Sequence, residues 1–246
     1  MMSRNKKMAV RSEALSALWQ ILDDVEQYLA PGSEREREQM PDFYDVEEVD
    51  AGQSQEIGRM DLASLASQVA SCTSCVLSET RLHPVFGSGE PGASLMVIGE
   101  GPGEMEDRSG KPFVGKAGEY LDAWLSAISL SRTRDIYITN VVKCRPPHNR
   151  DPEIQEVAAC LPYLTRQIEM IRPRMILCLG RYASQTILEN QKPLRDLRGT
   201  VHRYHDIPTV VTYHPAAVLR NTDLRKAVWE DLKLVASYLD LALKTR

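Results

Sequence analysis

Four short runs rich in β-branched residues constrain this chain most. They are Leu95–Gly99 (LMVIG), Ile136–Val142 (IYITNVV), Met175–Gly180 (MILCLG) and Pro208–His214 (PTVVTYH), each bounded by turn or polar residues. Stretches of helical period separate and follow them: Gly118–Ile128, Pro152–Ile171, Arg181–Asn190 and Leu224–Leu243. Strands that alternate with helices imply a parallel sheet covered on both faces. The expected fold is α/β, a three-layer α-β-α arrangement around a small, mainly four-stranded parallel sheet. Ligands of such sheets bind outside the carboxyl ends of the strands. Those ends carry the unusual segments GEGPGEMED, NVVKCRPPHNR and HPAAVLRN.

Composition sets the remaining bounds. The chain has 246 residues, 43% hydrophobic and 26% charged, values ordinary for a globular protein. No run approaches the ~20 apolar residues of a membrane helix, and the basic start lacks a signal peptide's apolar core. A cytoplasmic protein without a membrane partner is expected. Residues 1–60 hold 7 Lys/Arg and 13 Asp/Glu, while residues 61–246 hold 23 and 21. The acidity therefore belongs to the N-terminal quarter, and the remainder is weakly basic. In that quarter Leu15, Leu18, Trp19, Leu22, Val25 and Leu29 recur on one helix face, and Glu34–Asp50 reads as an acidic linker. The expected division is 1–60, a helical extension and tether, and 61–246, the α/β domain. The extension's helix is expected to pack on the domain or on a second copy, or to dock a protein partner.

Four of five cysteines are spaced like ligands. Cys72 and Cys75 form C-x2-C, Cys144 follows the second strand, and Cys160 falls in the next helix. Cys178, inside an apolar strand, reads as a small buried hydrophobe. Zinc and an iron–sulfur cluster both accept four thiolates, and spacing alone leaves both open. Either would tie the segment before the sheet to the loop after the second strand, a structural role.

The glycine loop after the first strand, Gly99-Glu100-Gly101-Pro102-Gly103, is not a phosphate loop. It lacks the G-x-G-x-x-G and Walker patterns, Pro102 removes a donor, and Glu100, Glu104, Glu106 and Asp107 repel phosphate. Close glycines instead admit a flat ligand to the main chain. Phe113, one of three Phe, is read as an exposed ring between turn residues that can stack on another ring, with core filling as the alternative. Asn140 ends the second strand, where its carboxamide offers a donor and an acceptor to a pyrimidine edge, or caps a turn. His214, at the end of the fourth strand, is catalytic or structural.

Together these residues resemble family 4 uracil-DNA glycosylases, the iron–sulfur branch of that superfamily. The resemblance spans about residues 62–240. It rests on GEGPGEMEDRSGKPFVGKAG, TNVVKCRPPHNRDP, the four cysteines, and YHPAAVLRN with WEDLK beyond. It implies a [4Fe–4S] cluster on Cys72, Cys75, Cys144 and Cys160. It also implies a uracil pocket lined by Glu100 and Gly101, with Phe113 stacked on the base and Asn140 reading its edge. His214 would bond the O2 side, where negative charge grows. Glu106 and Asn149 fall at motif positions linked to catalysis. A sister family that forms a covalent adduct carries a basic insert absent here, so His148 is a poor nucleophile. The Asp that activates water in the best-known uracil glycosylases is also missing after Gly101.

The implied reaction is monofunctional hydrolysis of the N-glycosidic bond of uracil in DNA, initiating base-excision repair. Lys143, Arg145, Arg150 and Arg220 are the expected phosphate contacts. Val218, Leu219 and Arg220, on a loop after His214, are expected to fill the space left by the extruded nucleotide. The rival readings are a non-catalytic binder of uracil-containing or damaged DNA that recruits a repair partner, and a zinc-stabilised nucleotide hydrolase.

Overall fold

The computed structural model describes residues 55–243. The expected helix over Leu15–Leu29 and the linker over Glu34–Asp50 lie outside the described residues. Six strands form one sheet in the order β1-β3-β2-β4-β6-β5. They are β1 (Ser88–Gly89), β2 (Leu95–Gly99), β3 (Ile136–Asn140), β4 (Met175–Leu179), β5 (Val201–Tyr204) and β6 (Ile207–Thr212). The four expected strands, β3-β2-β4-β6, pair in parallel. Two antiparallel edge strands, β1 on β3 and β5 on β6, extend the expected sheet.

The helices are α1 (Leu62–Ser71), α2 (Leu77–Thr80), α3 (Glu104–Ser109), α4 (Lys116–Ala127), α5 (Ile154–Ile171), α6 (Arg181–Leu188), α7 (Leu194–Leu197), α8 (Pro215–Arg220) and α9 (Leu224–Tyr238). The strand period of two sends alternate side chains to opposite faces. Leu95 and Val97 pack with Leu121, Trp124 and Leu125 of α4 and with Val228, Leu232 and Val235 of α9. Met96 and Ile98 pack with Val157, Leu164 and Ile168 of α5 and Ala183 and Ile187 of α6. That is the expected three-layer arrangement. Each fully buried Leu or Ile contributes about 1.5–3 kcal/mol. A third cluster joins α1, through Leu65 and Val69, to Tyr163 on α5.

Local signals set the helix ends. Asp61 caps α1 by accepting from the Ser64 amide at 2.8 Å. Glu153 and Glu156 form a capping box at the start of α5. The chain leaves β2 for β3 on one side and then returns to β4 on the other. The order thus reverses at β2, and the crevice at its carboxyl end is where such folds bind ligands. Among the described residues no helix is long and apolar enough to cross a membrane.

Candidate active site and cysteine cavity

Side chains from four elements converge at the end of β2. A Cβ added to Gly99 would lie 2.4 Å from Asn140 Oδ1 and 2.8 Å from Phe113 Cζ, so only glycine fits between them. One added to Gly101 would lie 2.8 Å from Val142. The Phe113 and His214 ring centroids are 5.5 Å apart, tilted by 34°. Asn140 ends β3 with 1% exposure, and its Oδ1 accepts no hydrogen bond. A buried polar atom without a partner costs about 1–3 kcal/mol. At the end of β2 this acceptor is open to a donor on a bound ligand.

Phe113 is buried at 6% exposure, not exposed as the sequence suggested. It both fills the core and presents its ring to Asn140 and His214. Its backbone is left-handed, φ 54°, a conformation that costs a non-glycine residue about 1–3 kcal/mol. The turn is held from two sides. Glu106 Oε1 accepts from the Val114 and Gly115 amides at 2.9 and 3.2 Å. Arg132 donates to the Pro112 and Phe113 carbonyls at 3.0 and 2.9 Å.

His214 caps α8, its Nδ1 accepting from the Ala216 amide at 3.2 Å. That bond puts the ring proton of the neutral imidazole on Nε2. Burial, helped by the Arg220 charge, pulls its pKa down to about 4. The ring is therefore a neutral Nε2–H donor at neutral pH. Burial and the Asp151 carboxylate push Glu100 up to about 7, against the pull of Arg181. Asp151 itself accepts from Tyr182 at 2.6 Å and Arg181 at 3.0 Å.

The second feature is a cavity lined by all four ligand-spaced cysteines, with Arg81, Lys143 and Tyr163. Arg81 Nη1 donates to Cys144 Sγ at 2.9 Å, and the Lys143 amide to Cys160 Sγ at 3.4 Å. Burial pushes Cys160 up to about 12. Cys178 is fully buried among apolar residues, as expected. Among the described residues, no three His, Cys, Asp or Glu side chains are set to hold a single metal ion. One loop joins the two features. In that loop, after β3, Lys143 Nζ donates to Thr139 Oγ1, the Asn140 carbonyl and Gln167 Oε1, each at 2.7 Å.

This geometry corrects several expected DNA contacts. Lys143 is 1% exposed and its ammonium is spent on that internal network, so it does not meet phosphate. Burial lowers it to about 7. Val218 is fully buried in the core, and residues 215–220 form helix α8, not a loop. Leu219, 44% exposed, and the exposed Arg220 remain at the surface. Arg150 grips Glu156 with two bonds of 2.9 and 2.6 Å, so its charge is already matched. Arg145 donates to Asn149 Oδ1 at 2.8 Å, making Asn149 a partner of the loop arginine. Sequence reasoning missed Arg81, Arg132 and Gln167, and missed the structural role of Asp107, which it read only as a carboxylate repelling phosphate. The last accepts from the Leu82 amide at 2.9 Å and ties α3 to the segment after the C-x2-C pair. None of these carries a local signature, because each acts on a partner distant in the chain.

The switch point of this α/β domain thus gathers an aromatic ring, a buried carboxamide oxygen without a partner and a neutral histidine, groups that can stack on and hydrogen-bond a flat polar ligand. Residues 86–233 match the family model of the uracil DNA glycosylase superfamily. The chain is 44% identical to the type-4 uracil-DNA glycosylase of Sulfurisphaera tokodaii, covering 71% of this chain and 83% of that protein. The enzymes of the same name from Saccharolobus solfataricus and Pyrobaculum aerophilum are 43% and 42% identical, covering 73% and 71% of this chain and 87% and 93% of theirs. The chain belongs to the uracil DNA glycosylase superfamily, in its type-4 family.

Proposed function

We propose that this protein is a uracil-DNA glycosylase that hydrolyses the N-glycosidic bond and so opens base-excision repair. The observation that carries the reading is the unpaired, buried Asn140 Oδ1 facing Phe113 across Gly99, beside a neutral His214. A uracil extruded from the stack lies on the Phe113 ring, and its N3–H meets the Asn140 acceptor. As the bond to the sugar lengthens, charge gathers on the departing base, and the His214 Nε2–H donates to O2. One such donor is worth about 3–4 kcal/mol in the transition state. Glu100, ionised above about 7, supports the sugar cation or the attacking water. Glu106 holds the turn that carries Phe113. Leu219 and Arg220, at the surface end of α8, fill the vacated stack and hold backbone phosphate.

Cys72, Cys75, Cys144 and Cys160 would hold a [4Fe–4S] cluster. The donor set fits: four sulfurs line one cavity, and Arg81 and the Lys143 amide direct positive charge at two of them. When bound, the cluster supplies iron–thiolate links that pin the C-x2-C arm to the β3 loop. With DNA as substrate, we place the protein in the cytoplasm, and the N-terminal extension is available to a protein partner. The expected boundary at residue 60 is corrected at its end: Ile57 packs with Leu65, Val69 and Tyr163, and the Met60 carbonyl accepts from Arg166 at 2.7 Å, so these residues belong to the domain.

The test is incubation with a labelled oligonucleotide holding one uracil, beside a thymine control, with alkali to cut abasic sites. Uracil-specific cutting through many turnovers is expected. A folded protein that binds uracil-DNA without cutting overturns the reading in favour of a non-catalytic binder.

A further inference from the structure

Arg132 lies outside every motif named above, yet more of its donors reach the base-stacking turn than reach any other part of the molecule. It sits in the loop between α4 and β3, with its side chain 23% exposed. Nη1 donates to the Pro112 carbonyl at 3.0 Å, and Nη2 to the Phe113 carbonyl at 2.9 Å and, more weakly, the Gly118 carbonyl at 3.5 Å. Nε donates to Asp122 Oδ1 at 2.8 Å, which anchors the guanidinium on α4. The turn it grips contains the left-handed Phe113. The Phe113 carbonyl is pressed onto Gly118, where an added Cβ would lie 1.8 Å from that oxygen. Glu106 holds the other side of the same turn through two amides.

A left-handed phenylalanine relaxes to ordinary backbone unless its neighbours over-determine it. Relaxation would swing the ring away from Gly99 and Asn140. The planar guanidinium fork bridges two successive carbonyls in a way that an ammonium cannot. We propose that Arg132 is a positioning residue for base excision, setting the Phe113 ring against the extruded base by clamping the 112–113 backbone. The proposal rests on Phe113 being the stacking platform.

The experiment measures kcat, KM and affinity for an abasic-site oligonucleotide in Arg132→Ala, Arg132→Lys, Phe113→Leu and the Arg132→Ala/Phe113→Leu double variant. Arg132→Ala is expected to lower kcat by about 10–100-fold, the scale of a misplaced reacting partner. Abasic-DNA affinity, which needs no base stacking, should stay within about twofold, and Arg132→Lys should fall between the wild type and the alanine variant. The double variant should be no slower than Phe113→Leu alone by more than about twofold, because both changes remove one function. Additive losses, or equal loss of abasic-DNA affinity, mean that Arg132 acts structurally and overturn the proposal. Phe113→Leu slow with Arg132→Ala at the wild-type rate overturns the clamp alone. Phe113→Leu at the wild-type rate overturns the stacking reading and the clamp with it. If Arg132→Ala does not fold, Asp122→Ala carries the test by removing the acceptor of the Nε bond. A fall in kcat of about threefold or more at unchanged abasic-DNA affinity is then expected, and wild-type kcat overturns the proposal.

Discussion

The two ends of the loop after β3 differ in how their polar groups are met. At the cysteine end, Cys144 is bonded by Arg81, Cys160 by the Lys143 amide, and Lys143 by three oxygens. At the base end, four residues earlier, Asn140 keeps a buried oxygen without a partner and Phe113 keeps a left-handed backbone. Buried polar groups that are fully met stiffen a structure. Buried groups left open, held in place by strained neighbours, mark where a ligand completes the set. The difference divides one loop into a part that ties and a part that acts.

Breaking the tied end should do the most damage. Cys144→Ala is expected to lose the visible absorbance of the proposed cluster and the soluble fold together, read by absorbance and circular dichroism. A folded, active Cys144→Ala protein would deny the cysteine cavity its structural role. At the acting end, His214→Ala should lower single-turnover excision by about 10²–10³-fold, the effect of one lost transition-state donor. Its fold and its abasic-DNA affinity should be unchanged. Asn140→Ala should slow excision by about 10–100-fold, through one lost bond to the base edge, with little change in melting temperature because that oxygen had no partner to lose. Lys143→Met tests the joint between the ends. It takes the ammonium donor from the Asn140 carbonyl and one bond each from Thr139 Oγ1 and Gln167 Oε1, which keep their own bond of 3.1 Å, and chemical denaturation should show a loss of about 1–3 kcal/mol.

The smallest effect sharpens the comparison through pH. Glu100 is raised to about 7 chiefly by burial, so its carboxylate form grows as pH rises through that value. His214, lowered to about 4, stays neutral throughout. Excision should climb between pH 6 and 8 with a midpoint near 7, and Glu100→Gln should flatten the climb. An unchanged profile in Glu100→Gln would assign the titration to another group.

The same contrast explains what the sequence reveals. The parallel strands were legible because β-branched runs such as LMVIG are buried on both faces. The edge strands were not. β1 is two residues long and has no period to read, and β5 (VHRY) is half-exposed and polar. Short helices α3 and α8 hid inside glycine- and proline-marked segments that read as loops, which is why Val218 was expected at the surface and lies in the core. The four cysteines were legible as a group because one residue type recurs at ligand-like spacing, and they line one cavity. The base site draws single residues from separate elements, and its members were ambiguous one by one until the motifs were read together. Lys143 shows the limit of reading charge from sequence. A lysine at a strand's carboxyl end looks like a phosphate contact until three oxygens are found around its ammonium.

The most direct test of the account is a crystal structure of the protein grown with free uracil, the product base. The account predicts uracil lying on the Phe113 ring, its N3–H bonded to Asn140 Oδ1 and its O2 facing His214 Nε2. Uracil bound elsewhere, with Asn140 Oδ1 still unpaired, would contradict it.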